Sequence, residues 1–272
     1  MQGSAGSLSK SVAPPVTPSM MAAVSNGLYN WEVGRKEREE DPKITGQMLR
    51  VFENMKHAAL SDPVHAEVAR EMDWRLAVLR DYKTSMADAY PGGGIAIYEG
   101  VFEVAENEGA LAAILGHEIG HVLARHELKQ LSGDAAVALG TAGPAITSGT
   151  APDKLDPKAI GPVAGALGLG YVFGVRQPVQ RENELEADCL GLVLTAKAGY
   201  DPKKSEGFWR RMDEEPGASD KYDFLNGHPM NEERFTHIRE TCLPPALEVY
   251  EKLDAPDRKN ALTTLPKIAV GG

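Results

Sequence analysis

Two histidines four residues apart, His117 and His121 in GHEIGHVLARH, sit in an apolar stretch with Glu118 beside the first. On an α-helix, positions four apart differ by about 40° around the axis and about 6 Å along it, so both imidazoles reach one point in space. Two histidines so placed suit zinc, which takes one further protein ligand and in a catalytic site leaves its last position to water. A carboxylate next to the first ligand can take a proton from that water, which is the chemistry of an HExxH hydrolase. Matched in isolation, the same residues read as half-buried helix histidines, so support has to come from elsewhere in the chain.

His126 lies five residues past His121, about 140° round a continuous helix, and this spacing leaves it out of the site. Ala124 and Glu127 stand where the extended metzincin pattern has glycine and a third histidine. The third ligand must therefore come from another segment, and RENELEADCLGL is the best candidate. Glu184 and Asp188 are four apart on a predicted helix; one carboxylate can bind the metal while the other accepts the outer N–H of a ligating histidine. Alone, with Glu182 and Glu186 nearby, the segment reads as a solvated acidic face.

The elements that must position these groups are legible in outline. Asn107 and Glu108 start a helix whose apolar face is Leu111, Ile114, Leu115, Val122 and Leu123. Gly199 and the Asp201–Pro202 step end the acidic helix. Upstream, Ile44, Met48, Val51, Phe52 and Met55 recur at helical intervals, and WRLAVLRD favours a strand. GGGIAIYEG follows a glycine turn with Ile95 and Ile97 alternating, which predicts a second strand, read as an exposed edge. Trp74, Phe208 and Trp209 look like core, whereas His57, His65 and His237 show no partner pattern. Residues 1–28 are rich in Ser, Gly and Pro and read as a flexible tail or tether lacking a continuous apolar leader; 29–272 read as one domain. Residues 135–174, rich in Ala and Gly, read as a helical hairpin rather than a membrane span, because Pro162 and several glycines interrupt an apolar run that is already short.

The 272 residues, 42% hydrophobic and 25% charged, describe an ordinary globular protein. A net charge of −10 argues against a nucleic-acid surface, which needs clustered Lys and Arg. Cys189 and Cys242 form no framework pattern, so their pairing stays open. Cys189 reads as a small packing residue rather than a nucleophile.

PGGGIAIYEG, NEGALAAILGHEIGHVLARHE, RENELEADCLGL, GYDP and GHPMNEERFTHI occur in this order. Over residues 40–245 the chain thus resembles the gluzincin zinc metallopeptidase family that contains the HtpX, CAAX prenyl, Oma-type and periplasmic quality-control proteases. The resemblance implies a zincin-like α+β fold, mostly helical, with a long active-site helix and a small sheet. It implies one Zn2+ per chain on His117, His121 and Glu184, with Glu118 as base, Asp188 as the partner behind a ligand, and His228 and Arg234 in the late His-Pro…Arg segment. MADAYPGGG departs from the family's Asn-Ala, and Gly227 stands for its Thr before His-Pro; both changes touch the cleft rim.

Hydrolysis of extended or misfolded polypeptides follows as the expected activity, with a substrate strand lying along Gly93, Gly94, Ile95, Ala96 and Ile97. His228 has two readings: donor to the oxyanion, or a fourth ligand that keeps the site latent. A non-proteolytic chaperone or assembly module is the alternative, and intact Glu118 argues against it. The resemblance also implies a bacterial envelope or periplasmic location, with a membrane tether through the tail left open.

Overall fold

The computed structural model describes residues 18–126, 181–214, 228–260 and 263–266. The Ala/Gly-rich interval expected to form a hairpin lies outside the described residues, as do residues 1–17 of the expected tail. Helix α1 (Pro18–Gly34) makes the rest of that tail helical from Pro18 onward. It docks through buried side chains: Ser25 Oγ accepts from the Gly92 amide at 2.6 Å, and a Cβ on Gly94 would lie 2.5 Å from the Tyr29 ring.

Helix α2 (Pro42–Ser61) starts where the Asp41 side chain accepts from the Lys43 amide and Pro42 presets the first helical φ. Its stripe of Ile44, Met48, Val51, Phe52 and Met55 is buried as the periodicity predicts. Then come α3 (Ala66–Glu71), β1 (Arg75–Leu79), β2 (Ala87–Ala89), β3 (Gly94–Tyr98) and α4 (Val101–Ala105). Helices α5 (Glu108–Leu123), α6 (Arg181–Lys197), α7 (Glu206–Glu214) and α8 (Glu232–His237) follow, then a π-turn over Ile238–Cys242 and α9 (Leu243–Glu251). The fold is α+β and zincin-like, mostly helical around one small sheet.

The strand order is β1-β3-β2, with β1 parallel and β2 antiparallel to β3. This corrects the sequence reading of the edge. Gly93 occupies the turn, with φ +92°, and Gly94, Ile95, Ala96 and Ile97 belong to the middle strand, buried and paired on both sides. Alternation shows which face a residue takes but not which strand becomes its neighbour, so the error was invisible in the pattern. The far side of β1 is bridged by residues 37–39, with the Glu39 amide on the Val78 carbonyl at 3.0 Å. β2 carries the edge near the HExxH helix. Tyr98 donates to the Met86 carbonyl and Tyr90 to that of Gly94, so Ala87 and Ala89 turn their backbone groups outward.

Every residue of α5 is buried, which makes it the central helix. Its N-terminus is capped by Asn107, whose side chain accepts from the Ala110 amide at 3.0 Å. The Glu108 carboxylate in the first turn accepts from Gln47 at 2.8 Å and pairs with Arg50, tying α5 to α2. Helix α6 lies between α5 and the π-turn with α9. Gly116 and Gly120 face Gly191 and Ala187, and a Cβ on Gly120 would sit 2.9 Å from the Ala187 carbonyl oxygen. The two backbones touch because nothing larger than hydrogen stands between them. Gly116 and Gly120 each precede a candidate ligand, and Ala187 precedes Asp188. Contact of the helices therefore carries His117 and His121 up to Glu184 and Asp188.

Candidate metal centre

His117 and His121 leave α5 one turn apart and converge: their Nε2 atoms are 3.0 Å apart. Glu184 from α6 brings its carboxylate oxygens to 3.5 Å from His117 Nε2 and 3.3 Å from His121 Nε2. His228, just before α8, places Nδ1 3.0 Å from His117 Nε2 and 3.0 Å from Glu184 Oε1. All four side chains are buried.

Hydrogen bonds behind the two α5 histidines fix which nitrogen faces inward. His117 Nδ1 lies 2.9 Å from Asp188 Oδ1, a pure acceptor, so Nδ1 carries the proton and Nε2 is left with a lone pair. His121 Nδ1 lies 2.9 Å from His126 Nδ1, and His126 Nε2 lies 3.1 Å from Glu186 Oε2. His126 Nε2–H donates to Glu186, His126 Nδ1 accepts from His121 Nδ1–H, and His121 Nε2 carries a lone pair as well. The spacing argument left His126 out; the structure puts it directly behind a candidate ligand. Helix α5 stops at Leu123, and Arg125 takes φ +54°, which folds His126 back beneath His121 instead of 140° away. No glycine or proline announces that stop, so the sequence carried no signal for it.

The two Nε2 atoms face each other at 3.0 Å, a separation that needs either a shared proton or a metal cation between them. A tetrahedral zinc site with bonds of about 2.0–2.1 Å has edges of about 3.3–3.4 Å, and the donor separations of 3.0–3.5 Å cluster around that edge. Charge agrees. Glu118, Glu184 and Asp188 are buried carboxylates against one buried guanidinium, Arg234, and with neutral imidazoles the excess is that of a divalent cation. The residues fit the metal.

Arg234 is the brace of the site. It grips Asp188 bidentately, Nε to Oδ2 and an Nη to Oδ1 at 2.8 Å each, and pairs with Glu184 at 2.8 Å. Its remaining N–H groups donate to the carbonyls of His228 and Pro229 at 3.0 Å. One side chain thus holds a candidate ligand, the acceptor behind another, and the backbone carrying His228. Burial alone would raise the Asp188 carboxyl, but Arg234 and His117 overcome it and hold it down to about 2. Burial likewise depresses His228, to about 3, against the pull of Glu184. For His117 burial is outweighed by Glu184 and Asp188, which raise it to about 9, so its Nε2 favours a positive charge, carried by a proton or by a metal ion in its place.

Glu118 points from α5 toward the sheet edge. Its Oε2 accepts from the Ala89 amide at 2.9 Å, and Oε1 lies 3.4 Å from His228 Nε2. The base candidate therefore bridges the donor set and the outward row of β2. Of the expected site residues, His117, Glu118, His121, Glu184, Asp188, His228 and Arg234 come together. The β3 residues do not line the metal position as an edge.

Comparison with known proteins was decisive for the family: a model described as peptidase family M48 matches residues 48–242. The chain belongs to this family. The M48 match takes in each residue of the centre, from His117 to Arg234. Among curated relatives, the mitochondrial metalloendopeptidase OMA1 of Schizosaccharomyces pombe is 33% identical over 178 residues, covering 65% of this chain and 48% of the relative. The Saccharomyces cerevisiae protein of the same name is 28% identical, covering 77% and 59%. The putative beta-barrel assembly-enhancing protease of Vibrio cholerae is 30% identical, covering 76% and 45%. The chain spans about half the length of these M48 relatives. Among the described residues, no helix is long and apolar enough to cross a membrane.

Proposed function

We propose that this protein is a zinc-dependent endopeptidase for extended or misfolded polypeptides, and that His228 keeps it latent. The observation that carries the reading is the inward-facing set of His117, His121, Glu184 and His228, with Glu118 against both His228 and the β2 edge. Zinc held there would supply Lewis acidity to a water molecule and to the scissile carbonyl. Glu118 Oε1 takes the proton of the attacking water and returns it to the departing amide nitrogen. The Ala89 amide keeps the carboxylate aimed while it does so. A substrate backbone pairs with the outward groups of Ala87 in β2, an arrangement that reads main chain more than side chains and suits unfolded segments.

With Nδ1 of His228 in the donor set, four protein donors close the site, as in structural rather than catalytic zinc centres. Activation then requires the His228–Pro229 segment to withdraw, after which His228 Nε2 is free to donate to the developing oxyanion. The Cys189–Cys242 disulfide supports a location in an oxidising compartment, in keeping with an envelope protein.

Elemental analysis and cleavage of an unfolded protein test the reading together. About one zinc per chain, lost in Glu184→Ala, with cleavage abolished in Glu118→Gln, is the expected pattern. Zinc retained by Glu184→Ala would remove that ligand from the set. Binding of unfolded chains with an unchanged biological effect in Glu118→Gln would favour the chaperone reading.

A further inference from the structure

One position past Asp188 on α6, Cys189 is bonded to Cys242 in a disulfide. His237 joins them, with Nε2 3.5 Å from Cys189 Sγ. One donor atom from each of the three lies within 4.8 Å of the others. A disulfide has no use for an imidazole on its sulfur. A thiol does, because the ring accepts the S–H proton or stabilises the thiolate.

The backbone between His237 and Cys242 is built to put them side by side. Five residues apart on an α-helix they would diverge by about 140°. Here the helix widens into a π-turn over Ile238–Cys242, closed by the Leu243 amide on the Ile238 carbonyl. An i→i+5 ring stacks residues five apart, and such turns recur at functional sites. The local cause is Pro244–Pro245, which bring no N–H and crowd the carbonyls of the preceding turn. The widened turn faces Cys189 on α6, and both Cys189 and His237 are only half-buried, so reductant and ion can reach them.

We propose that Cys189, Cys242 and His237 form a second metal site, distinct from the HExxH centre, that takes a thiophilic divalent cation such as zinc once the disulfide is reduced. Reduction by a dithiol breaks the Cys189–Cys242 bond. Two electrons and two protons pass to the sulfurs, and the dithiol is oxidised to its own disulfide. The cation then replaces the two thiol protons, which leave to solvent, and His237 Nε2 supplies the third donor. Two thiolates and an imidazole select soft or borderline ions over magnesium and calcium, and leave one position for water.

Cobalt(II) reports the site directly, because thiolate ligands give an intense near-ultraviolet charge-transfer absorption that histidine and carboxylate ligands do not. The full chain is titrated with Co2+ before and after reduction with dithiothreitol, the reductant being removed under argon. Two free thiols, a second bound cobalt and the charge-transfer band are expected only after reduction. Cys242→Ser should abolish the band, and His237→Ala should weaken the second site tenfold or more. Absence of the band in the reduced chain, its persistence in Cys242→Ser, or a disulfide that the dithiol does not open under native conditions would overturn the proposal. So would loss of helical circular dichroism on reduction that zinc does not restore.

Discussion

Gly116 and Gly191 hold α5 and α6 in backbone contact: a Cβ on Gly116 would lie 2.6 Å from the Gly191 carbonyl oxygen, and one on Gly191 2.7 Å from the Gly116 carbonyl carbon. His117 follows Gly116, so the distance between the helices sets the distance between the histidines and Glu184.

Gly116→Ala therefore forces the helices apart and should lower unfolding free energy by about 1–3 kcal/mol, the usual effect of overpacking. Metal content should fall below that of the wild type. Gly46→Ala is the control: it is exposed on α2, its Cβ would meet nothing within 4 Å, and it should stabilise by roughly 0.5–1 kcal/mol. Urea unfolding and elemental analysis measure both. Undiminished zinc in Gly116→Ala would show that helix contact does not set the donor spacing.

His126 acts through His121. His126→Leu removes the acceptor of His121 Nδ1–H and frees the ring to turn, so zinc affinity should fall about 10–100-fold, the usual cost of losing a group behind a metal ligand. His126→Gln keeps an acceptor and should recover part of that loss. Chelator competition reads the difference, which a merely structural role for His126 would not produce. Equal affinities in the two variants would sink the assignment.

Much of this centre could be seen before the fold was. The four-residue spacing of His117/His121 and of Glu184/Asp188 survives because it depends only on helix geometry, and Asn107 caps α5 as its side-chain chemistry requires. What stayed hidden was long-range or depended on irregular backbone. The order of strands put GGGIAIYEG in the middle of the sheet. Arg125 reversed the chain beneath His121. Cys189 and Cys242, 53 residues apart, met only because α6 packs on the π-turn.

Arg234 supports three groups at once, and its removal should be severe. Arg234→Met leaves Asp188 buried without its counter-charge, which typically costs about 3–5 kcal/mol. Arg234→Lys keeps the charge but cannot reproduce the two parallel bonds to Asp188, so it should recover only part of that. Denaturant unfolding measures both. Because Arg234 also holds the His228 carbonyl, the lysine variant should cleave unfolded protein faster than wild type wherever it stays folded. Slower cleavage at equal zinc content would mean that Arg234 does not help hold the latent state.

Far from the metal centre, Glu39 and Glu99 form a buried carboxyl pair that should shape stability against pH. Burial raises Glu99, and its hydrogen bond with Glu39 adds to this, taking it to about 7. Burial would raise Glu39 too, but bonds from Glu99, the Asp41 amide and Arg80 overcome it and bring it to about 2. The folded chain thus keeps a proton on Glu99 that the unfolded chain gives up near 4.5. Its contribution is complete below that pH and is lost as pH rises through about 7. Glu39 has the opposite sign: its contribution is present above 4.5 and lost as pH falls toward about 2. Glu99→Gln holds a permanent donor to Glu39, so its melting temperature should exceed that of the wild type above pH 7 and converge with it near pH 4.5. Parallel curves for the two proteins between those values would show that Glu99 is already ionised in the fold.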